Sequence, residues 1–196
     1  MNKNRLEAFS DGVLAIIITI MVLEFKLPEG MDCNALKPLL PKFLSYILSF
    51  IYIGIYWNNH HHLMHTVKTI NGKILWANLH LLFWLSLIPF VTAWNGENHF
   101  APFPMMLYGI ILMMNGIAYF ILQTLIINKT GKDSKLAKAI GSDYKGKLSP
   151  ILYLIAILLS NSYPAVAGGI YIFVALMWLV PDKRIERIFE NEKNKL

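Results

Sequence analysis

The spacing of apolar residues constrains this chain more than any other feature. Six runs, at about 6–25, 39–62, 73–94, 102–127, 147–161 and 164–180, are strongly apolar and are joined by short polar stretches. Inside a bilayer every backbone N–H and C=O needs a partner from its own segment, so runs of this kind are helices. A crossing takes roughly 20 residues at ~1.5 Å each. The fifth run is short for that, unless it begins earlier, near Tyr144, or lies tilted or buried. With 56% hydrophobic residues and a mean hydropathy of +0.48, the expectation is an all-α membrane protein with six transmembrane helices. They form one domain over residues 1–181, and residues 182–196 make a charged cytoplasmic tail.

The charge pattern sets an orientation. The chain carries a net charge of +6, which in a soluble protein would raise nucleic acid as a partner. Here 15 of the 18 Lys and Arg fall on one set of segments: the N-terminus, the link after the second run, the link after the fourth, and the tail. Only Lys26, Lys37 and Lys42 fall on the other side. Positive residues stay on the cytoplasmic side of short loops, so both termini are expected there, in a multi-pass protein of the cell membrane. That asymmetry accounts for the basic charge without nucleic acid. The link NKTGKDSKLAKAIGSDYKGK reads as a topology signal that can also lie on anionic headgroups. The opening MNKNR followed by an apolar stretch resembles a signal peptide. Acidic Glu7 and Asp11, and the lack of a small-residue cleavage site in EFKLPEG, favour a retained first helix. The single cysteine, Cys33, says nothing about redox compartment.

The first helix carries the features that apolarity does not explain. Arg5 and Asp11 lie six residues apart, ~9 Å along the axis and about 120° out of phase, so they do not pair within one helix. A carboxylate this close to hydrocarbon requires a partner or headgroup water. Higher up, Ile16, Thr19, Ile20 and Leu23 share one face at i, i+3, i+4 and i+7. Such a stripe is ordinarily packing, and a threonine in a membrane helix is ordinarily satisfied by a carbonyl one turn back. The second run ends WNNHHHLMH and the third contains WANLHLLFW. His60, His61 and His62 point about 100° apart and cannot share one ion. His61 and His65 are spaced as half of a zinc site, but no cysteine lies near and no H-E-x-x-H occurs. Trp76 and His80 share a face. At the depth of Asp11, His60, His61 and His80 are its natural partners, in a buried cluster or in an interfacial belt of Trp and His.

Residues Arg5 to Asp11, RLEAFSD, fit R-x-x-x-F-S-D at the opening of a first membrane helix. With GVLAIIITIMVLE, WNNHH, W-x-x-x-H and the later LIPF, they make the first half of the chain resemble the transmembrane protein 175 family of potassium channels, in its prokaryotic single-repeat form. The resemblance implies a homotetramer with the first helices lining a central pore. Ile16 would form a hydrophobic constriction, Thr19 a potassium-preferring layer, and Ile20 and Leu23 further pore-facing positions. Arg5, Phe9, Ser10 and Asp11, with His60 or His61, Trp76 and His80, would form the polar network that holds the pore helix. The permeant ion would be K+, the partners monovalent cations, membrane lipids and further copies of the chain, and no cofactor is implied.

The residues also limit selectivity. No T-V-G-Y-G loop occurs, so a filter of carbonyls is absent. A ring of isoleucines can gate by dewetting, and a ring of hydroxyls replaces only part of a hydration shell, so K+ over Na+ selectivity should be modest. Two other classes stay open at this point: a metal-binding membrane enzyme built on the histidines, and a secondary transporter broken at Gly168–Gly169. No nucleophile–base pair at catalytic spacing is visible, so no enzyme is expected.

Overall fold

The computed structural model describes residues 2–67, 69–131 and 143–179. Among them there is no strand. The elements are α1 (Lys3–Leu23), a 3-10 segment (Cys33–Leu39), α2 (Leu40–His65), α3 (Gly72–Ser86), α4 (Ile88–Glu97), α5 (Pro102–Thr130), α6 (Tyr144–Leu159) and α7 (Pro164–Leu179). Residues 182–196, read above as a tail, and residues 132–142 of the basic link lie outside the described residues.

Among the described residues four stretches are long and apolar enough to cross a membrane: Lys3–Leu23, Cys33–His65, Gly72–Glu97 and Pro102–Thr130. The helices α6 and α7 have 16 residues each, about 24 Å of helix against ~30 Å of hydrocarbon. The fifth run does begin at Tyr144, where the Asp143 carboxylate accepts from the Gly146 amide at 2.8 Å and caps α6.

The third run is two helices, not one. Pro89 lies in the first turn of α4. It has no N–H to bond the carbonyl four residues back, and its ring crowds that carbonyl, so the helix breaks at Leu87. The Leu87 amide instead turns to Trp84 O at 3.2 Å. Asn115 on α5 also donates to that carbonyl, at 3.4 Å, which supplies a partner where the ladder is interrupted.

At the centre, α5 packs against α3, α4, α6 and α7, while α2 packs against α1, α4 and α7. Without a hydrophobic force between helices in lipid, close approach and cross-helix hydrogen bonds hold such a bundle. Both are present. A Cβ at Gly96 would stand 2.6 Å from Lys42 Cα, so α4 and α2 touch backbone to backbone, and Lys42 pairs with Glu97 beside them. A Cβ at Gly109 would meet Tyr171 Oη at 2.0 Å, and that hydroxyl donates to Met105 O at 3.2 Å. Ser49 bonds both the Thr92 hydroxyl at 2.6 Å and the Tyr108 hydroxyl at 2.8 Å, joining α2, α4 and α5. Helix α1 rests on α2, α3 and α4.

Candidate functional site

Helix α1 starts at Asn2, whose side chain accepts from the Asn4 amide at 3.2 Å. Its buried stripe is Leu6, Ser10, Leu14, Ile17 and Met21. At 100° per residue this stripe lies about 130° around the axis from Ile16, Thr19, Ile20 and Leu23. Those four are exposed, Ile16 at 59% and Leu23 at 76%. Arg5, Phe9 and Gly12 continue the same open side toward the N-terminus, and a Cβ at Gly12 would meet nothing within 4 Å. One side of α1 is therefore held by the protein and the other is uncovered along its length.

Thr19 is the hydroxyl on that uncovered side. Its Oγ1 donates to Ala15 O at 2.9 Å. Because the proton is committed to the helix, the oxygen turns acceptor lone pairs outward. A donor or a cation is what such an oxygen can receive.

The buried side has a polar anchor. Ser10 donates to Leu6 O at 2.9 Å and accepts from Asn78 Nδ2 at 3.0 Å. The Asn78 Oδ1 in turn bonds His60 Nε2 at 2.7 Å. Ser10 and Asn78 have no exposed surface, and His60 is 3% exposed. Three helices thus meet in one hydrogen-bonded row at the level of the Ser10 turn. Asn78, its central member, was missed in the sequence. Its signal was a lone amide inside ILWANLHLLFW, and a polar side chain in a membrane helix usually bonds across to a neighbour.

A second seam runs beside the first. The indole of Trp57 donates to Asp11 Oδ1 at 3.0 Å, and His61 Nδ1 lies 3.6 Å from Glu7 Oε1. Glu7 and Asp11 are four apart on α1, Trp57 and His61 four apart on α2, and the two helices run antiparallel. Matched i, i+4 spacings on both helices therefore make a two-rung ladder. Trp57 and Glu7 were also missed, although E-x-x-x-D facing W-x-x-x-H was legible as a pattern.

The expected partners of Asp11 are thus distributed otherwise. Asp11 takes the indole of Trp57, His60 turns to Asn78, and His61 turns to Glu7. His80 accepts from Trp84 at 2.9 Å within α3. Trp76 is 72% exposed and Phe9 53%. The structure brings Ser10 and His60 into one row through Asn78, and leaves Arg5, Phe9 and Trp76 on open surface. The rings of His61 and His65 lie 4.7 Å apart. Among the described residues no group of three or more His, Cys, Asp or Glu is placed to hold a metal ion.

An all-helical membrane protein whose first helix is anchored on one side and open on the other is the class defined so far. Comparison with known proteins narrows it. The family described as the endosomal/lysosomal potassium channel TMEM175 matches residues 5–89. A protein named as a potassium channel from Chryseobacterium sp. strain P1-3 is 62% identical over 187 residues, 95% of this chain and 97% of that one. The human endosomal/lysosomal proton channel TMEM175 is 35% identical over 96 residues, 42% of this chain and 19% of its own length. Among solved structures, a lysosomal potassium-selective channel TMEM175 homolog from Chamaesiphon minutus superposes with a TM-score of 0.76. It has 27% sequence identity and covers 92% of this chain and 97% of that one. The chain belongs to the TMEM175 family. The Chryseobacterium relative carries the likeness past the first half, where the sequence motifs stop.

Proposed function

We propose that this chain is one subunit of a potassium-permeable cation channel of modest selectivity. The observation that carries the reading is 62% identity, across 95% of the chain, with a protein named as a potassium channel. The open side of α1 supports it physically. One subunit cannot enclose a pore with a single helix, so several copies close around an axis, as cyclic symmetry requires of a ring, and the family resemblance implies that they are four. Their open sides face one another, with Ile16 as the constriction, Thr19 as the polar layer, and Ile20 and Leu23 beyond.

In this reading an Ile16 ring excludes water when narrow and conducts when it widens. The Thr19 oxygens, with their protons held by Ala15, offer acceptor lone pairs to a partly dehydrated cation. Hydroxyls set on helices coordinate less completely than a cage of carbonyls, so discrimination of K+ from Na+ is weak. The Ser10–Asn78–His60 row and the Asp11–Trp57, Glu7–His61 ladder fix α1 against α2 and α3, so its outer side keeps its aim. Arg5, Phe9, Trp76 and His80 complete the surroundings of the pore helix. Residues 1–181 form the channel domain with six crossings and residues 182–196 a charged segment. Both termini are cytoplasmic in the cell membrane. No cofactor, catalytic step or nucleic acid enters.

The test is potassium flux through liposomes holding purified protein, wild type beside Thr19→Ala and Ile16→Asn. Potassium leak in the wild type is expected, with a lower K+/Na+ ratio for Thr19→Ala and a larger leak for Ile16→Asn. Three indistinguishable, flux-free preparations across voltage and pH would overturn the channel assignment.

A further inference from the structure

Helices α3 and α4 together make one crossing of 26 residues, Gly72–Glu97, about 39 Å long. Their joint follows the 15 residues of α3, about 22 Å along that crossing, and so lies deep in the hydrocarbon. A helix that starts there has first-turn amides with no carbonyl of its own to bond, and lipid offers them none. In the first turn of α4, the Val91 amide bonds Leu87 O at 3.3 Å and Pro89 has no N–H. The amides of Ile88 and Phe90 remain, and no side chain caps this end. In an unbroken helix Ile88 would donate to Trp84 O. That oxygen already takes the Leu87 amide at 3.2 Å and Asn115 Nδ2 at 3.4 Å, which occupies both of its lone pairs. Ile88 itself has no exposed surface.

Beside this donor, whose helical acceptor is taken, stands an acceptor without a donor. Asn115 has no exposed surface. Both of its amide protons are committed, to Ile111 O at 2.9 Å and to Trp84 O at 3.4 Å. Its Oδ1 has no partner among the described residues. The two groups are neighbours because both border Trp84 O, Asn115 directly and Ile88 as the residue after Leu87. A buried polar group left unpaired is costly, and native proteins leave few. Proline is tolerated in a membrane helix where neighbouring side chains and ordered waters satisfy the groups that it frees.

The pairing selects the occupant. It must accept from a backbone amide and donate to a side-chain oxygen. A metal cation cannot accept, a fully ionised anion cannot donate, and a joint walled by buried Leu85, Ile88, Pro89 and Asn115 admits nothing large. We propose that one ordered water sits in the joint of α3 and α4, accepting from the Ile88 amide and donating to Asn115 Oδ1. Its second proton goes to Leu85 O, which Pro89 deprives of its helical donor. That makes three partners, the usual number for a buried water. Helix α4 packs on α1, so the water sets the bend on which the outer half of α1 rests. The inference rests on the fold alone and not on conduction.

X-ray radiolysis of the full chain in lipid nanodiscs tests it, with water itself as the probe. Radiolysis turns water into hydroxyl radicals, so a bound water oxidises the side chains around it even where bulk solvent has no access. Leu85 and Ile88 are 1% and 0% exposed, and Ile53 and Val174 are both 0% exposed. Oxidation of the first pair should run at least about tenfold faster than that of the second, because a water stands beside the first pair alone. Asn115→Leu, of similar size, removes the acceptor and should bring Leu85 and Ile88 down to the rate of Ile53. The wild-type comparison stands whether or not that variant folds. Leu85 and Ile88 oxidised no faster than Ile53 and Val174 would overturn the site. Unchanged oxidation in a folded Asn115→Leu protein would overturn the place of Asn115 in it.

Discussion

Ser10 and Thr19 are hydroxyls nine residues apart on one helix, and each donates to the carbonyl four residues back at 2.9 Å. Beyond that bond they part. The Ser10 oxygen also accepts from Asn78 and has no exposed surface. Among the described residues the Thr19 oxygen meets no second protein group, and it stands on the uncovered side. The back-bond is what any helix gives a hydroxyl in lipid. The second interaction separates a hydroxyl that holds the helix from one that faces whatever lies outside it. The same division runs through neighbours in sequence: Ile17 is 3% exposed and Ile16 is 59%.

Four substitutions would break or sharpen that comparison. Asn78→Leu should act most strongly, because it strands both Ser10 and His60. Cross-helix bonds of this kind contribute about 0.6–1.7 kcal/mol each in membranes, so a loss of about 1–3 kcal/mol is expected in detergent unfolding of the purified protein. An unchanged midpoint would mean that the row does not hold α1. Next, Ile17→Ala and Ile16→Ala compare the two sides at adjacent positions. Lipid is as apolar as the side chain removed, so mainly lost packing registers. Ile17→Ala should cost about 1 kcal/mol of stability. Ile16→Ala should leave stability within about 0.5 kcal/mol yet raise potassium leak in the liposome assay. The reverse order would exchange the roles of the two sides. Gly12→Ala comes last, because among the described residues its new methyl meets nothing within 4 Å. Stability should hold within about 1 kcal/mol. Altered flux in that variant would place another copy of the chain against this side of α1, and unaltered flux would leave the side to lipid at that level.

How much was legible differs from helix to helix. The apolar runs at 6–25, 39–62, 102–127, 147–161 and 164–180 predicted their helices within a few residues, because hydrocarbon admits no other backbone, while the run at 73–94 was read as one helix and is two. The split between α3 and α4 was not read from the sequence, although Pro89 in LIPF carries its cause, since proline removes a donor wherever it falls. In α1 the face of Ile16, Thr19, Ile20 and Leu23 was legible as a stripe by spacing alone. That Leu6, Ser10, Leu14, Ile17 and Met21 are the packed side was not, because nearly every position of the helix is apolar and amphipathicity gives no direction. The polar partners were legible by type and depth, not by pairing. A row of histidines next to a carboxylate suggested contact, yet Asp11 took an indole and His60 took an amide. Asn78 was invisible as a hub for the same reason: its two partners lie 68 and 18 residues away.

What the sequence by itself determined was the solvent this chain folds in, the approximate ends of its apolar runs, and the family, through the short signature at the start of α1. Each follows from local chemistry: the absence of water for backbone groups and the order of seven residues. What only the tertiary structure decided was which side of α1 is held and which is open, and which donor each acceptor takes. Those are set by how helices distant in sequence lie against one another, and a side chain's nearest partner across a helix interface is not a property of its neighbours in the chain.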